Sequence, residues 1–296
     1  MARMGTVAAR AEQLLGRSVV ATVAVPGGDV CTATKARLSD GSSVLVKSRP
    51  HPPAGFFAAE AAGLQWIGAA TDDGGVAVPA VRAVAEDCLI IAWVEPGRPS
   101  TDAAERLGRE LAATHDAGAE TFGHTGGGTS WIGTMPLPQQ PADSWTEFWA
   151  TARGEPYLRL ACDRGALADA DADAVHRVLG GIAELAGPAE PPARVHGDLW
   201  SGNVVWSAEA RANVVDPAAH GGHRETDLAM LALFGLPQLE RVLSAYTEAH
   251  PLADGWRARV PLHQLHPLLV HAAMFGGSYG PRAGAAARAA LEPEAA

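Results

Sequence analysis

Short apolar runs alternate with turn-forming segments through the first 95 residues of the chain. Val19–Val25 is one such run, a second ends at Leu38, and a third covers residues 44–47. The segments between them, 26–29 and 39–42, contain the Pro, Gly, Asp and Ser residues that favour tight turns. Apolar runs of this length between such turns predict β-strands.

Further elements extend this β-rich region. A proline-rich stretch precedes a predicted helix over about 54–68, and two more strands are predicted at about 76–84 and 88–94. Residues 95–99, which contain two prolines and a glycine, are typical of a linker. We therefore expect residues 1–95 to form a first, nucleotide-binding lobe.

The pattern becomes helical after the linker. Ser100 or Thr101 is expected to cap a helix in which Leu107, Leu111 and His115 share one face. Further helices are predicted at 144–160, at 169–186 and through the residues after Asp216, with a hairpin of 204–206 and 213–215 between them. The expected fold class is α+β, with a larger helical lobe over 96–296 that holds the catalytic and acceptor-binding residues.

Composition narrows the range of functions. A length of 296 residues suits two lobes that share one cleft. The formal net charge of -10 argues against a general nucleic-acid binder. No apolar run approaches the roughly 18 residues of a membrane span, and the three cysteines fit neither a disulfide framework nor a zinc site. We expect a cytoplasmic protein that binds neither nucleic acid nor membrane.

The strongest candidate chemistry lies where the helical pattern breaks, at residues 195–203. Asp198 and Asn203 stand five residues apart on a predicted loop, and Asp216 follows the predicted hairpin. Phosphoryl transfer from ATP uses such a set: one carboxylate orients the acceptor hydroxyl and accepts its proton, while amide and carboxylate oxygens hold Mg²⁺. Asn203 is one of only two asparagines in the chain, which favours a chemical role for the joint pattern over an ordinary Asp-rich turn.

Lys47 and Glu60 form a second candidate pair. Lys47 is one of two lysines among 23 basic residues and ends an apolar strand. Glu60 shares a helical stripe with apolar residues, so it should be buried and need a cationic partner. Lys47 could bind both Glu60 and nucleotide phosphates; the alternative is that Glu60 skirts the edge of the core. Gly27 and Gly28 precede this strand, where a glycine loop could cover the phosphates.

Several segments carry a resemblance to a known family. They read His-Gly-Asp-Leu-Trp-Ser-Gly-Asn at 196–203, Asp-Pro-Ala at 216–218 and Gly-His-Arg-Glu-Thr-Asp-Leu-Ala-Met at 222–230. These segments resemble the fructosamine kinase (ketosamine kinase) family, within the aminoglycoside-phosphotransferase and protein-kinase-like superfamily. The resemblance extends over nearly the whole chain, including Phe-Gly-Gly-Ser-Tyr at 275–279.

The resemblance implies a two-lobed protein-kinase-like fold and an ATP- and Mg²⁺-dependent kinase. Its substrate would be the sugar part of ketosamines, the adducts of sugars with amines, either free or on protein lysines, and phosphorylation would destabilise the adduct. The implied roles follow in sequence order: Lys47 and Glu60 as the phosphate-anchoring pair, Ala92, Trp93 and Val94 as the adenine slot, Asp198 as base, Asn203 and Asp216 as metal ligands, and Asp227 as a support for the catalytic loop.

Other residues are weaker candidates. Trp200, His220 and His223 are expected on the acceptor side, and His196 is expected to bond backbone beneath the catalytic loop. Cys31 directly follows the glycine loop, where a reactive thiol would make the loop sensitive to oxidation. The alternative for Cys31 is a small buried hydrophobe.

Three alternative functions remain at this point. A regulated Ser/Thr protein kinase is disfavoured because only eight residues separate Asp216 from Glu225, too few for a long activation segment. An antibiotic phosphotransferase would use the same fold and catalytic residues, and is disfavoured by Trp200 and the run 223–225. A nucleotide-binding scaffold without catalysis gains little support, since every expected catalytic position is filled.

Overall fold

The alternating runs near the start of the chain form one antiparallel sheet in the computed structural model, which describes residues 7–26, 30–123 and 130–292. The sheet order is β1-β2-β3-β5-β4. Its strands are β1 (Val19–Val25), β2 (Thr32–Leu38), β3 (Ser43–Ser48), β4 (Val81–Val84) and β5 (Cys88–Ala92). The three strands predicted before residue 50 are confirmed.

Strand β3 separates a packed face from a cleft face. Val44 and Val46 are buried in a cluster with Ala11 of helix α1 (Val7–Leu15). The alternate residues, Leu45 and Lys47, line a cleft on the other side of the sheet, as the two-residue period of a strand requires. The sequence analysis did not predict α1.

The strand predicted at 76–84 is shorter than expected. The Val76 N–H donates to Thr114 Oγ1 at 2.8 Å, and Ala77 forms a bridge with Asn213 outside this sheet. Pro79 cannot donate to a sheet ladder, so regular pairing begins only at Val81. The predicted helix at 54–68 is confirmed as α2 (Phe56–Gly68).

The rest of the chain is mainly helical. Its helices are α3 (Thr101–Asp116), α4 (Trp145–Phe148), α5 (Glu155–Asp163), α6 (Asp169–Gly180), α7 (Ile182–Leu185), α8 (Glu225–Leu233), α9 (Leu239–Ala249), α10 (Trp256–Phe275) and α11 (Tyr279–Leu291). No helix in the described ranges is long and apolar enough to cross a membrane. The expected α+β, two-lobed kinase-like fold is confirmed, and the lobe boundary predicted at 95/96 falls between β5 and α3.

Helix α3 starts where a cap was expected. The Ser100 hydroxyl accepts the N–H of Ala103 at 3.2 Å, which satisfies one of the free donors at a helix start. Leu107, Leu111 and His115 are all buried. Their face packs against α9, whose Tyr246 hydroxyl lies 2.8 Å from His115 Nδ1.

Two predicted helices are interrupted. The one at 144–160 divides into α4, a wider π-helical turn (Trp149–Gly154) and α5, at a point where Pro156 lacks the N–H that a regular helix needs. The one at 169–186 divides at Gly181 into α6 and α7, because glycine is a weak helix former.

Three short strand pairs complete the fold, and two of them position the loops of the cleft. They are β6–β7 (Ser130–Ile132, Met135–Leu137), β8–β11 (Ala193–Val195, His220–Gly222) and β9–β10 (Val204–Trp206, Ala212–Val214). The β9–β10 hairpin was predicted. The β8–β11 pair was not, and it sets Val195 opposite His220. It therefore brings the loop after β8 beside the segment that follows Asp216.

Candidate active site

A cavity of about 1190 Å³ lies between the β-sheet with α2 on one side and the loops after β8 and β10 on the other. Five of the predicted chemical residues line it together: Lys47, Glu60, Asp198, Asn203 and Asp216. Ala92, Trp93, Val94 and Trp200 also line it. Gly27 and Gly28 lie outside the described residues.

The loop that carries Asp198 is held from below by a buried carboxylate. Asp227 on α8 has no exposed surface and accepts the N–H groups of His196 at 2.7 Å and Gly197 at 2.9 Å. Burial alone would raise the pKa of Asp227, but hydrogen bonding to His115 and to the loop lowers it below its ordinary value. Asp227 therefore stays ionised and fixes the loop backbone.

Gly197 and His196 show how tightly this loop is packed. Gly197 has φ +81°, and a Cβ there would collide with the Ala218 carbonyl and the His220 ring, so only glycine fits. His196 is buried beneath the loop; its Nε2–H donates to Val215 O at 2.9 Å and its Nδ1 accepts the Asp198 N–H at 3.3 Å. Burial lowers the pKa of His196, which keeps the ring neutral for both bonds.

Asp198 and Asn203 are joined directly. Asn203 Nδ2 donates to Asp198 O at 2.8 Å and to Asp198 Oδ2 at 3.3 Å. With its nitrogen engaged, the amide offers Asn203 Oδ1 as the acceptor for a cation. Burial, followed by the charge of Asp216, raises the pKa of Asp198 to about 7, although the Asn203 bond opposes the shift. A carboxyl with a pKa near neutrality is suited to exchange a proton.

Lys47 links the two sides of the cavity. Its Nζ lies 2.5 Å from Glu60 Oε1 on α2 and 2.8 Å from Asp216 Oδ1. Burial alone would lower the pKa of the Lys47 ammonium, but the two carboxylates raise it above its ordinary value, so Lys47 stays charged. Asp216 has φ +56°, an uncommon conformation for a non-glycine residue that often marks functional sites.

Two residues with oxygen donors line this cavity. The Asp216 side chain is 46% exposed, and Asn203 belongs to the same cavity lining. Carboxylate and amide oxygens are the ligands that Mg²⁺ takes from proteins. The residues present therefore fit a magnesium ion bound together with a nucleotide.

Cys31 does not have the character that a redox role requires. It lines the cavity and packs beside the cluster of Phe56, Phe57 and Leu64. Burial raises the pKa of the Cys31 thiol to about 11, against the smaller opposing effect of Lys47. A reactive thiol needs a lowered pKa, so the structure argues against the redox hypothesis and favours a partly buried, protonated thiol.

His220 and His223 are placed differently from the sequence expectation. Neither is among the described residues that line the cavity, and both are buried. His220 lies under Gly197 with its ring 5.5 Å from Phe148. His223 packs between Trp145 and His263, where burial lowers its pKa to about 3. This placement does not support the expectation that they contact the acceptor, because β11 and the residue after it direct them into the core.

His223 belongs to a buried polar cluster behind the site. Ligand atoms of His223, Glu225 and His263 lie within 4.8 Å of one another, a spacing that could hold a metal ion. Arg259 already donates to both Glu225 oxygens, at 2.9 and 2.6 Å. A second fork, Arg224 to Glu190 at 2.7 Å for each bond, lies next to it. The cluster is a set of buried ion pairs that anchors the start of α8, the helix of Asp227.

Sequence reasoning missed a group of rings in the same cavity. Phe234, His271, Phe275 and Tyr279 line it on the side of Trp200. Three of the four lie on α10 or α11, more than 70 residues after Asp198 in the chain. The available signal was the segment 275–279, which carried part of the family resemblance without a role.

Comparisons with known proteins agree with this geometry. The family model described as fructosamine kinase matches residues 4–292. A probable ketoamine kinase of Thermus thermophilus is 36% identical over 255 residues, which is 86% of this chain and 87% of that protein. A protein-ribulosamine 3-kinase of Arabidopsis thaliana is 30% identical over 261 residues, 86% of this chain and 78% of its own length.

A solved structure is similar over nearly the full length. The crystal structure of a putative fructosamine-3-kinase from Thermobifida fusca superimposes with a TM-score of 0.91 at 49% identity, and the match covers 97% of this chain and 98% of that one. The match of the family model to almost every residue, together with the identity to these relatives, shows that the chain belongs to the fructosamine kinase family.

Proposed function

We propose that this protein transfers the γ-phosphoryl group of ATP, with Mg²⁺, to a sugar hydroxyl of a ketosamine, free or protein-bound, as a step in the removal of such adducts. Membership of the family makes the protein a phosphotransferase that acts on a hydroxyl group. The observation that carries the proposal is the meeting of Asp198, Asn203, Asp216 and Lys47 in one cavity. We also propose a cytoplasmic location, where ATP is abundant.

Each of these residues has a separate task. Asp198 orients the acceptor hydroxyl and receives its proton as the oxygen attacks phosphorus. Asn203 and Asp216 would hold the metal, which neutralises charge on the phosphate oxygens when bound. Lys47 would bind phosphate oxygens, and Glu60 keeps its ammonium in place through the 2.5 Å contact.

The other proposed nucleotide contacts are inferred from the positions of residues along the cavity lining. Ala92 ends β5, and Trp93 and Val94 follow it directly. All three line the cavity and are proposed to hold the adenine ring. Gly27 and Gly28 are proposed to cover the phosphates. Pro26 and Val30, on either side of that loop, line the same cavity, which supports the proposal.

Trp200 is proposed to contact the acceptor. It stands two residues after Asp198, lines the cavity and remains 37% exposed. An aromatic face beside the catalytic carboxylate suits the C–H surface of a sugar. With His220 and His223 buried elsewhere, Trp200 is the member of the predicted acceptor set that this geometry supports.

ADP release with a panel of acceptors tests the proposal. The panel contains fructosamines, ribulosamines and erythrulosamines, with aminoglycosides alongside, and each reaction is run with and without Mg²⁺. We expect Mg²⁺-dependent ADP release with at least one ketosamine and only background release with aminoglycosides. Turnover of aminoglycosides alone would overturn the ketosamine assignment, and nucleotide binding without turnover of any acceptor would indicate a scaffold.

A further inference from the structure

A continuous wall of rings lines the part of the cavity that carries Trp200. It consists of Trp200, Phe234, His271, Phe275 and Tyr279, called the aromatic wall below, and all five line the cavity. Ring centroids are 5.7 Å apart for Trp200 and Phe234, 5.4 Å for Phe234 and His271, and 4.9 Å for His271 and Tyr279. The wall thus begins at Trp200, two residues after Asp198 in the chain, and continues through Phe234 to α10 and α11.

The turn between α10 and α11 gives the wall its outer end. Gly276 and Gly277 have φ +63° and +61°, which glycine adopts without strain. Across this turn the rings of Phe275 and Tyr279 stay 6.3 Å apart and both border the cavity. The Phe-Gly-Gly-Ser-Tyr segment therefore places two rings on one face of the cleft.

Exposure shows where the wall is open to a ligand. Phe275 is 52% exposed and Trp200 37%, and they are the aromatic residues among the exposed large hydrophobic side chains of the described ranges. His271 donates from Nδ1 to Pro267 O at 2.7 Å and sits between the other rings. Exposed aromatic surface inside a cleft marks a place where apolar parts of a ligand are buried.

One positive charge lies beside the wall. The acidic residues in the described part of the lining are Glu60, Asp198 and Asp216, and Lys47 already pairs with the first and third. At the wall itself, the Arg282 guanidinium lies 5.6 Å from the ring centroids of Phe234 and Tyr279. The acidic side chains of the described lining are therefore not part of the wall, which offers rings and a neighbouring guanidinium to a ligand.

We infer that the outer part of the aromatic wall, Phe275 with Tyr279 and His271, binds the hydrocarbon group on the amine side of the ketosamine. This inference rests on the proposed function. With the sugar hydroxyl at Asp198 and the sugar beside Trp200, the amine substituent extends along the wall. The substrates favoured are ketosamines whose amine carries a methylene chain, in preference to adducts of short amines.

Two fructosamines with the same sugar test this directly: the adduct of hexylamine and the adduct of methylamine. The wild-type enzyme should favour the hexyl adduct in kcat/KM by on the order of tenfold, mainly through KM, because burial of two methylene groups on a ring face is worth about that ratio. Phe275→Ala should reduce the hexyl-to-methyl ratio towards one, and Phe275→Leu should keep part of it. Val84→Ala is the control, since Val84 is 44% exposed on β4 and lies outside the described cavity lining; it should keep the wild-type ratio.

The results of this experiment distinguish the inference about the aromatic wall from the proposed ketosamine kinase function. Equal kcat/KM for both adducts in the wild type, or an unchanged ratio in Phe275→Ala, would overturn the inference while leaving ketosamine kinase activity intact. Turnover of neither adduct, nor of the wider ketosamine panel, would overturn the proposed function and the inference with it.

Discussion

At the scale of single residues, the contact between Lys47 and Asp216 joins the two sides of the cavity. Lys47 connects Glu60 on α2 to Asp216 after β10 with contacts of 2.5 and 2.8 Å. The pairing of Lys47 with Glu60 could be predicted from the sequence, because a lysine that ends an apolar strand in an arginine-rich chain is unusual. The second contact of Lys47, to Asp216, was not predicted, since 169 residues separate the two in the chain.

Lys47→Arg tests this bridge. A planar guanidinium cannot take the position of a compact ammonium between two carboxylates and phosphate. We expect kcat/KM for ATP to fall roughly ten- to hundredfold, the cost of misplaced reactants. Lys35→Arg is the matched control at the other lysine, whose contact with Glu95 is partly exposed, and it should stay close to wild type. Full activity in Lys47→Arg would show that the bridge has no catalytic importance.

Asp216→Ala tests the proposed metal ligand. Removal of one of two protein ligands should raise the Mg²⁺ concentration for half-maximal activity by roughly tenfold or more. Titration of activity against Mg²⁺ at saturating ATP measures this. An unchanged Mg²⁺ requirement in the variant would mean that Asp216 is not a ligand.

At the scale of elements, the sequence predicted what periodicity and turn chemistry encode. The first three strands, α2 and the β9–β10 hairpin appear where expected. The β8–β11 pair was missed because three-residue strands give no usable alternation, and the paired residues are at least 25 residues apart in the chain. The missed pair also bears on His220: a residue close to Asp216 in sequence was expected on the acceptor side, but it lies in β11 and is buried.

The buried ion pairs at the start of α8 belong to this scale as well. Glu225 is 2% exposed and receives two hydrogen bonds from Arg259. Burial would raise the pKa of Glu225, but hydrogen bonds from His263 and Arg259 lower it to about 2. Because the folded pKa lies below the unfolded value, this carboxylate stabilises the fold above about pH 4.5, and the contribution is lost as pH falls towards 2.

Glu225→Gln should therefore destabilise the protein by about 3–5 kcal/mol at pH 7, because Arg259 is left buried without its partner. Urea unfolding at several pH values measures the effect. The difference in free energy of unfolding between wild type and variant should become smaller below pH 4. Glu155→Gln is the control: its pair with Arg159 is exposed and should be worth less than about 1 kcal/mol. Equal effects of the two substitutions would contradict the assigned role of the buried pair.

At the scale of the whole molecule, one cavity collects residues from almost the entire chain. The sheet supplies Lys47, the β8–β9 loop supplies Asp198, and the end of α10 supplies Phe275. The catalytic part could be predicted because its residue types are chemically restricted and stand close together in sequence. The aromatic wall could not, because rings at helical spacing look the same in a core as in a binding site, and only the three-dimensional arrangement distinguishes them.

Asp198 is proposed to act on the acceptor hydroxyl in an ATP-dependent transfer. The most direct test is kcat for a fructosamine, measured together with ATP binding, in the wild type and in Asp198→Asn. Asn keeps the size of the side chain but cannot accept the proton, so kcat should fall by roughly 10²–10⁴ while the Kd for ATP changes little. A variant that keeps more than about a tenth of the wild-type kcat, or one that loses ATP binding along with turnover, would contradict the account.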